Sequence, residues 1–437
     1  MPLNGCSRAG FKGPAGRVGY SQGPIRNIHE TMTQSIARGH IVIVGAGPVG
    51  LTLAYGLSRH GIAVTVIESE LSVSRQLRAS TFHPPTLDML EAWGITEVLI
   101  ENGRITPTWQ IRLHETGEHV TFDLSVLAND TAHPYRLQCE QAVLSDALEA
   151  RLRSQRGVRM LRGATVTDLG QSSDQAWVEL QAAGGAETER IEADYVVGCD
   201  GAHSVVRKAI GSTFDGTTYP DTTLLVTSHV DFSTLWPDLA GVNYIWQDDG
   251  TYSLLHLPKL WRISLHPMAD KPMEEEAQSE RIVARLRALF GSEHDFALQE
   301  VRPYRVHKRL ASRWRLGRLF IAGDAAHLNN PKGGMGMNGG IHDAMCLCET
   351  LVRALNGHAC EKALDVYEQQ RLPVVRDDII GQADRNHSRM QLRSLQERRA
   401  SLAQLQALVD DRDRLLQHLR QTSMLDGLAR AKQLAHA

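Results

Sequence analysis

An unbroken apolar run over residues 41–44 is followed by three glycines, Gly45, Gly47 and Gly50. The run predicts a strand buried on both faces, and residues 51–60 are predicted to form the helix that follows the glycine turn. A second apolar run over 63–67 ends on Glu68. The segment therefore predicts a strand, a tight turn, a helix and a second strand.

The same patterns recur further along the chain. An Asp-Gly turn at 248–250 between two apolar segments predicts a β-hairpin, which a strand over 261–266 extends into an antiparallel sheet. From residue 343 onwards the pattern is mostly helical. Helices are predicted over 85–92, 141–153 and 279–290, and strands over 165–180, 195–199, 242–246, 251–257 and 318–323.

The glycine turn has the features of a dinucleotide site. Gly45 allows a sharp turn, Gly47 lets the backbone approach a pyrophosphate, and Gly50 allows close packing of helix on strand. The helix directs its N-terminal amides at the phosphates, and Glu68 lies where a carboxylate accepts hydrogen bonds from a ribose. This motif alone does not distinguish FAD from a nicotinamide. The predicted contacts in this segment are Gly45, Gly47, Pro48, Val49, Gly50, Glu68 and Ser69.

Two further motifs, at 198–207 and 323–338, each follow an apolar strand and precede a predicted helix. In the second motif, Asp324 is placed to bind a ribitol or ribose hydroxyl. The run 331–338 offers unobstructed backbone amides at a helix N-terminus, which stabilises negative charge such as that of a reduced flavin. These motifs favour FAD over a nicotinamide as the resident nucleotide.

Composition excludes several classes of protein. Hydrophobic residues make up 42% and charged residues 22%, as in a soluble globular protein, and the net charge of −3 gives no reason to expect a nucleic-acid partner. No apolar run approaches the roughly 18 residues of a membrane span. The six cysteines are scattered, which predicts a reduced cytoplasmic protein with no metal site. Residues 1–38 are predicted to be a disordered extension, with residues 1–31 upstream of a natural start at Met32.

The order of the three motifs resembles that of the class A flavoprotein aromatic hydroxylases, the group that includes p-hydroxybenzoate hydroxylase, over roughly residues 40–385. By position, the resemblance adds Arg78 and Gln141 to the FAD contacts. It assigns the Asp-Gly motif to FAD and to a transient NAD(P)H site, and Pro331, Gly333 and Gly334 to the loop that supports the reaction beside the flavin ring. The further cofactor contacts that it implies are Asp200, Gly201, Arg207, Gly323, Asp324, Gly336, Met337 and Asn338.

The resemblance implies an α/β fold, in which a glutathione-reductase-like Rossmann FAD-binding lobe is interleaved with an antiparallel β-sheet substrate lobe, with a helical C-terminus. We expect the FAD-binding domain to comprise 39–110, 137–215 and 315–384. The substrate domain is expected at 111–136 and 216–314, and C-terminal helices at 385–437. Those helices allow a homodimer contact.

The implied activity is hydroxylation of an electron-rich phenolic or N-heteroaromatic ring by NADPH or NADH and O2, through a C4a-hydroperoxyflavin. Trp246, Tyr252 and His256 are candidates for an aromatic substrate pocket, since they lie on the predicted sheet. No catalytic base is assigned, and His327 is predicted to make a structural hydrogen bond.

Other activities remain open at this stage. They are a flavoprotein that does not hydroxylate, a quinone-pathway hydroxylase at a membrane surface, and a flavin sensor without catalysis. A flavin halogenase is disfavoured because its Trp-x-Trp-x-Ile-Pro signature is absent.

Overall fold

The computed structural model describes residues 39–185, 187–248, 250–266, 272–291, 294–357 and 361–435. The predictions for residues 1–38 lie outside the described residues. The strands are β1 (His40–Val44), β2 (Ala63–Glu68), β3 (Thr81–Phe82), β4 (Arg104–Thr106), β5 (Thr108–Leu113), β6 (His119–Asp123), β7 (Arg136–Gln138), β8 (Val158–Arg162), β9 (Ala164–Gln171), β10 (Ala176–Ala182), β11 (Thr188–Ala193), β12 (Tyr195–Gly198), β13 (Phe214–Ser228), β14 (Val242–Gln247), β15 (Gly250–His256), β16 (Trp261–Leu265), β17 (Leu298–Ala311), β18 (Arg315–Leu316), β19 (Leu319–Ile321) and β20 (His327–Leu328).

Helices alternate with these strands and dominate the C-terminal part. They are α1 (Pro48–Arg59), α2 (Pro84–Glu91), α3 (Ile95–Glu101), α4 (Gln141–Leu152), α5 (Val205–Ala209), α6 (Phe232–Leu235), α7 (Met273–Glu276), α8 (Ser279–Phe290), α9 (Gly336–Leu355), α10 (Glu361–Leu364), α11 (Val366–Val374), α12 (Gly381–Met390), α13 (Leu395–Val409), α14 (Arg412–Thr422) and α15 (Leu425–Leu434). Between α11 and α12, Val375–Ile380 is π-helical.

The predicted strand–turn–helix–strand unit lies at the centre of a six-stranded sheet ordered β18-β19-β12-β1-β2-β8. β1 pairs in parallel with β2 on one side and with β12 on the other, and β12 continues in parallel to β19. Parallel strands buried on both faces are apolar throughout, as 41–44 are. The carboxyl ends of β1, β2, β12 and β19 meet at one edge, which is where parallel sheets bind ligands.

A second, larger sheet is ordered β20-β17-β13-β16-β15-β14-β5-β6 and is antiparallel except for the β14–β5 pair. The predicted hairpin is confirmed, with β14 paired to β15 across the turn. One face of this sheet packs on α8 through an apolar cluster that includes Leu224, Leu254 and Ile263. The opposite face carries the alternate residues, which are more polar.

The C-terminal helices cover part of the larger sheet. Leu402 and Leu405 of α13 and Leu415 and Leu419 of α14 form one core cluster with residues of β5 and β6. The chain thus has the predicted architecture, a parallel Rossmann-like sheet and a large, mostly antiparallel sheet with a helical C-terminus.

Candidate functional site

A cavity of about 740 Å³ lies between the carboxyl edge of the parallel sheet and the polar face of the larger sheet. Residues from all three motifs meet in its wall, although they are separated by almost 300 positions in the chain. The predicted cofactor contacts that line it are Gly45, Gly47, Pro48, Val49, Glu68, Ser69, Arg78, Gln141, Asp200, Gly201, Asp324, Pro331, Gly334, Gly336 and Met337.

The glycine turn at one end of the cavity is held by backbone contacts. Gly45 has φ +103°, and a Cβ at Gly50 would lie 2.0 Å from the carbonyl oxygen of Gly45. Gly50 therefore packs the helix against the turn and does not itself line the cavity. A Cβ at Gly47, by contrast, would meet nothing within 4 Å, because this glycine faces the open cavity.

Glu68 at the end of β2 is fixed by the same turn. Its Oε2 accepts a hydrogen bond from the backbone N–H of Ala46 at 2.7 Å, and its Oε1 accepts one from that of Glu70 at 2.9 Å. Ser69 donates to Oε1 at 3.1 Å. A carboxylate held in this way, beside an open glycine backbone, is suited to a ribose diol.

Arg78 and Gln141 lie on the same side of the cavity. Gln141 begins α4, and its side-chain oxygen accepts a hydrogen bond from the backbone N–H of Ala79 at 3.3 Å. Arg78 is exposed, and its backbone carbonyl accepts a hydrogen bond from Arg262 at 2.9 Å. Gln141 and the larger sheet therefore both hydrogen-bond to the backbone of the segment that carries Arg78.

The Asp-Gly motif is organised around two residues with different positions. Asp200 lines the cavity and accepts a hydrogen bond from the backbone N–H of Val205 at 2.7 Å, while burial raises the pKa of its carboxyl. Arg207 does not line the cavity. Its guanidinium is buried over Phe214 and donates to the carbonyls of Ala325 (2.9 Å) and Ala202 (2.7 Å). Arg207 therefore ties the Asp-Gly motif to the Gly-Asp motif.

The Gly-Asp motif places the carboxyl of Asp324 in the cavity, and the carboxyl of Asp343 lies behind it. Asp324 is exposed to the cavity, and the surrounding protein raises the pKa of its carboxyl by desolvation. Behind it, the fully buried Asp343 accepts hydrogen bonds from Arg371 (2.7 Å) and from the backbone N–H of Gly323 (3.2 Å). Arg371 first among its partners, followed by His327, lowers the pKa of Asp343 to about 2 despite burial.

His327 has the structural role predicted for it. Its Nε2 forms a hydrogen bond with Asp343 at 2.7 Å, its side chain is fully buried, and its ring stacks on Trp314. Gly323 has φ +63°, and a Cβ there would lie 2.9 Å from Val49. The glycine is needed for packing behind the cavity wall.

The loop formed by residues 331–335, which precedes α9, is held from two sides. The Asn338 side chain donates to the carbonyls of Thr81 (2.8 Å) and Gly334 (2.7 Å), so it connects this loop to β3 from behind the cavity. His83 contacts the Gly333 carbonyl at 2.8 Å, and burial lowers the pKa of its imidazole to about 3. From the other side, Gly333 N–H donates to the hydroxyl of Tyr244 on β14 at 3.0 Å.

Two of the three candidates for the aromatic substrate pocket lie outside the cavity wall. Trp246 is fully buried in the core cluster shared with the C-terminal helices, and His256 stacks on Trp261 and contacts Arg104 at 2.9 Å. Tyr252 is part of the cavity wall, but its hydroxyl bonds to His114 at 2.7 Å and its ring belongs to the apolar cluster under α8. Alternation along β15 places the Tyr252 and His256 side chains on the same face as Leu254, which packs in the apolar cluster under α8.

The residues that form the cavity face of the sheet were not predicted from the sequence. They follow from register, because Tyr244 pairs with Ser253, Ser253 with Ser264, Ser264 with Leu225, and Leu225 with Arg302. All five line the cavity. The period-two pattern could have identified them once the apolar alternates were placed on the opposite face.

His266 lies just beyond this row and was also missed. Its Nε2 is 3.2 Å from the Lys332 Nζ, and burial together with that cation lowers the pKa of the imidazole to about 3. His266 is therefore neutral at physiological pH. Within the described residues, no cluster of potential metal ligands is present, and no helix is long and apolar enough to cross a membrane.

Comparison with known proteins gives consistent matches. A family model described as an FAD binding domain matches residues 38–379. Para-nitrophenol 4-monooxygenase of a Pseudomonas species is 33% identical over 340 residues, which is 76% of this chain and 83% of that protein. The 6-hydroxy-3-succinoylpyridine 3-monooxygenase of Pseudomonas putida is 32% identical over 335 residues, covering 76% and 84%.

Solved structures agree with the sequence matches. The crystal structure of p-nitrophenol 4-monooxygenase from Pseudomonas putida superposes with a TM-score of 0.81 at 30% identity, covering 88% of this chain and 98% of that one. Anhydrotetracycline hydroxylase from Streptomyces rimosus gives 0.72 at 26% identity, covering 89% and 76%. Together with the three motifs in one cavity, these matches show that the chain belongs to the FAD-binding class A flavin monooxygenases, a family of aromatic hydroxylases.

Proposed function

We propose that this enzyme uses NADPH or NADH, with O2, to hydroxylate a phenolic or N-heteroaromatic ring. The observation that carries the proposal is the continuity of the cavity. It extends from the glycine turn at Gly45, past Asp324 and the 331–335 loop, to the polar face of the larger sheet. One space is thus suited to both a long dinucleotide and a small ring.

The residues of the cavity fit FAD. The open backbone at Gly47 and the N-terminus of α1 suit the pyrophosphate, and Glu68 suits the adenosine ribose. Asp324 would bind a ribityl hydroxyl. The FAD-binding domain would comprise 39–110, 137–215 and 315–384, and the substrate domain 111–136 and 216–314.

When bound, FAD would supply the redox chemistry, taking a hydride from the nicotinamide and activating O2 for insertion into a ring. The protein would position the reactants and shape the local field. The first amides of the 20-residue helix α9 point their positive end towards the cavity at Gly336 and Met337, which favours negative charge there. Asn338, His83 and Tyr244 would hold the adjoining loop in place.

The substrate would lie against the row formed by Tyr244, Ser253, Ser264 and Leu225. Hydroxyl groups beside an aliphatic side chain can orient a ring through few polar contacts while excluding water. The relatives named for p-nitrophenol and 6-hydroxy-3-succinoylpyridine support a small hydroxylated ring, carbocyclic or heterocyclic, as the substrate class.

The test is NADH and NADPH oxidation by the FAD-loaded protein across phenols, salicylates, hydroxypyridines and quinolones, with hydrogen peroxide assayed. A substrate should accelerate nicotinamide oxidation with little peroxide and yield a product heavier by one oxygen atom. Acceleration with stoichiometric peroxide would identify an effector only. Absence of acceleration with every class would contradict the proposed activity.

A further inference from the structure

Residues 69–80 connect β2 to β3, and the structure describes them as irregular backbone without a helix or strand. We call this segment the strap. Ser69 at one end of it and residues 77–80 at the other line the cavity. Connections of this length without secondary structure are uncommon in compact domains, and many of them are lids over active sites. The strap is therefore a candidate for a moving part of the cavity wall.

The two ends of the strap are held by the parallel-sheet side of the cavity. At the first end, the backbone N–H of Glu70 donates to Oε1 of Glu68 at 2.9 Å. At the other end, the Ala79 carbonyl accepts a hydrogen bond from the backbone N–H of Gln141 at 3.1 Å. Both ends are thus fixed to the lobe that carries the glycine turn.

The middle of the strap is anchored to the larger sheet by Leu77. Among residues 69–79, all of which the structure describes, Leu77 alone is buried, and its exposed fraction is 6%. It packs in a small apolar cluster with Leu225 of β13 and Leu257, which follows β15. Both partners belong to the larger sheet, so this single leucine ties the strap to the second lobe.

Two arginines of the larger sheet hold the strap backbone beside this anchor. Arg262 of β16 donates to the Arg78 carbonyl at 2.9 Å, and Arg302 of β17 donates to the Leu77 carbonyl. Hydrogen bonds from charged donors are roughly twice as strong as those between neutral groups. We call Leu77, Arg262 and Arg302 together the latch.

The latch also fixes the position of Arg78. The Arg78 guanidinium is part of the cavity wall and donates to Gln76 within the strap at 3.3 Å. Burial raises the pKa of the Asp324 carboxyl, and the charges of His327 and then Arg78 partly offset that rise, so the Arg78 cation acts across the cavity. A cation in this position is suited to the diphosphate of FAD.

We propose that the strap closes over bound FAD and that the latch sets how fast FAD enters and leaves the cavity. The ends of the strap are fixed to one lobe and its middle to the other, so loss of the latch contacts would free residues 71–78 without disturbing either sheet. A lid that is shut in the free and the FAD-loaded protein alike slows both entry and release. This inference rests on FAD binding, and it requires neither a nicotinamide nor a ring substrate.

The test measures the rate constants of FAD release and FAD binding. Release is followed by chasing radiolabelled FAD from the loaded protein with excess unlabelled FAD, and binding by stopped-flow quenching of tryptophan fluorescence in the apoprotein. Leu77→Ala should raise both rate constants about 10- to 100-fold, as expected for loss of a buried leucine side chain. Loss of a simple contact with FAD would speed release alone, whereas loss of a latch also speeds binding.

Three further variants separate the latch from the rest of the strap. Arg262→Met removes one hydrogen bond to the strap without opening space in the apolar cluster, and should raise both rate constants about 10-fold. Arg78→Met removes the cation that faces the diphosphate, and should speed release without speeding binding. Leu71→Ala is the matched control, because this leucine of the same strap is 77% exposed, and both rate constants should stay unchanged.

Trypsin measures opening of the strap directly in the FAD-loaded protein. Arg75 is a cleavage site within the strap, and its side chain is 70% exposed. Cleavage after Arg75 should be faster in Leu77→Ala than in Leu71→Ala, by about the same factor as FAD release. FAD content and circular dichroism establish that each variant is folded, and Arg262→Met decides the question if Leu77→Ala does not fold.

The latch and the proposed hydroxylation fail separately. Unchanged rate constants in the folded latch variants, or faster release without faster binding, would overturn the latch even if a ring compound supports turnover. Faster release together with faster binding supports the latch even if no compound accelerates nicotinamide oxidation, in which case the proposed activity is at fault.

Discussion

The two sides of the cavity are built by different means. On the side of the parallel sheet, the wall is made by backbone and glycines within short segments, such as 45–50 and 323–336. On the side of the larger sheet, it is made by single side chains from separate strands, such as Tyr244, Ser253 and Ser264. A wall of backbone and glycines requires particular residues at neighbouring positions of the sequence. A wall of single side chains requires only that each residue lies on the correct face of its strand. This difference determines how each side responds to substitution.

The largest expected effect is on the buried network behind the parallel-sheet side. Asp343→Asn leaves the Arg371 guanidinium buried without its anionic partner, which should lower the free energy of unfolding by about 3–5 kcal/mol. Chemical denaturation at neutral pH measures the loss. The same substitution on the other side, Asp384→Asn, removes an ion pair with Lys308 whose side chains are about one-third exposed, and should cost about 1 kcal/mol or less. Equal losses would contradict the distinction.

A smaller effect is expected on FAD affinity, which should depend on the parallel-sheet side of the cavity and not on the larger sheet. Asp324→Ala should weaken FAD binding by about 1–3 kcal/mol through a lost hydrogen bond to a hydroxyl. Ser264→Ala, on the cavity face of β16, should leave FAD affinity unchanged and alter only the response to ring compounds. Fluorescence titration of the apoprotein with FAD measures both. Full FAD affinity in purified Asp324→Ala would show that the assignment of this motif is mistaken.

Acid should act on the buried histidines behind the parallel-sheet side. Burial lowers the pKa of His342 from 6.5 to about 3, so between these values the unfolded chain binds a proton that the folded protein does not. The free energy of unfolding must then fall as the pH falls through this range. His342→Gln should reduce that slope by up to about 1.4 kcal/mol per pH unit. His60→Gln, at an exposed position, serves as the control variant.

The smallest effects distinguish the two faces of the larger sheet. Tyr252→Phe removes a hydroxyl bonded to His114 in the core and should cost about 1 kcal/mol of stability without changing turnover. Tyr244→Phe removes the acceptor of the Gly333 N–H and should raise the fraction of nicotinamide oxidation that ends as peroxide. Impaired turnover in Tyr252→Phe with normal stability would instead place its ring in contact with substrate.

The same contrast explains how far sequence alone could predict the molecule. The parallel-sheet unit was predictable because Gly45 and Gly50 are required by backbone geometry within six residues. The motifs also predicted Arg207 and Asn338 as site residues. Both side chains lie behind the cavity wall, because a sequence motif indicates the path of the backbone and not the direction of each side chain.

The sheet side could not be predicted in the same way. The strands around Trp246 and His256 were recognised, but which face points to the cavity depends on register with β13 and β17. Those two strands cover 15 and 14 residues and were not predicted individually.

The interleaving of the two sheets has a consequence for how the chain folds. The backbone N–H of His40, at the start of β1, bonds to Asp194, 154 residues later, and the sheet is completed only by β19. At about 5–20 residues per second, synthesis leaves β1 without β12 for roughly 8–30 s. Such non-local pairing slows folding. Nascent chains should therefore be unable to complete the parallel sheet until residue 321 has emerged.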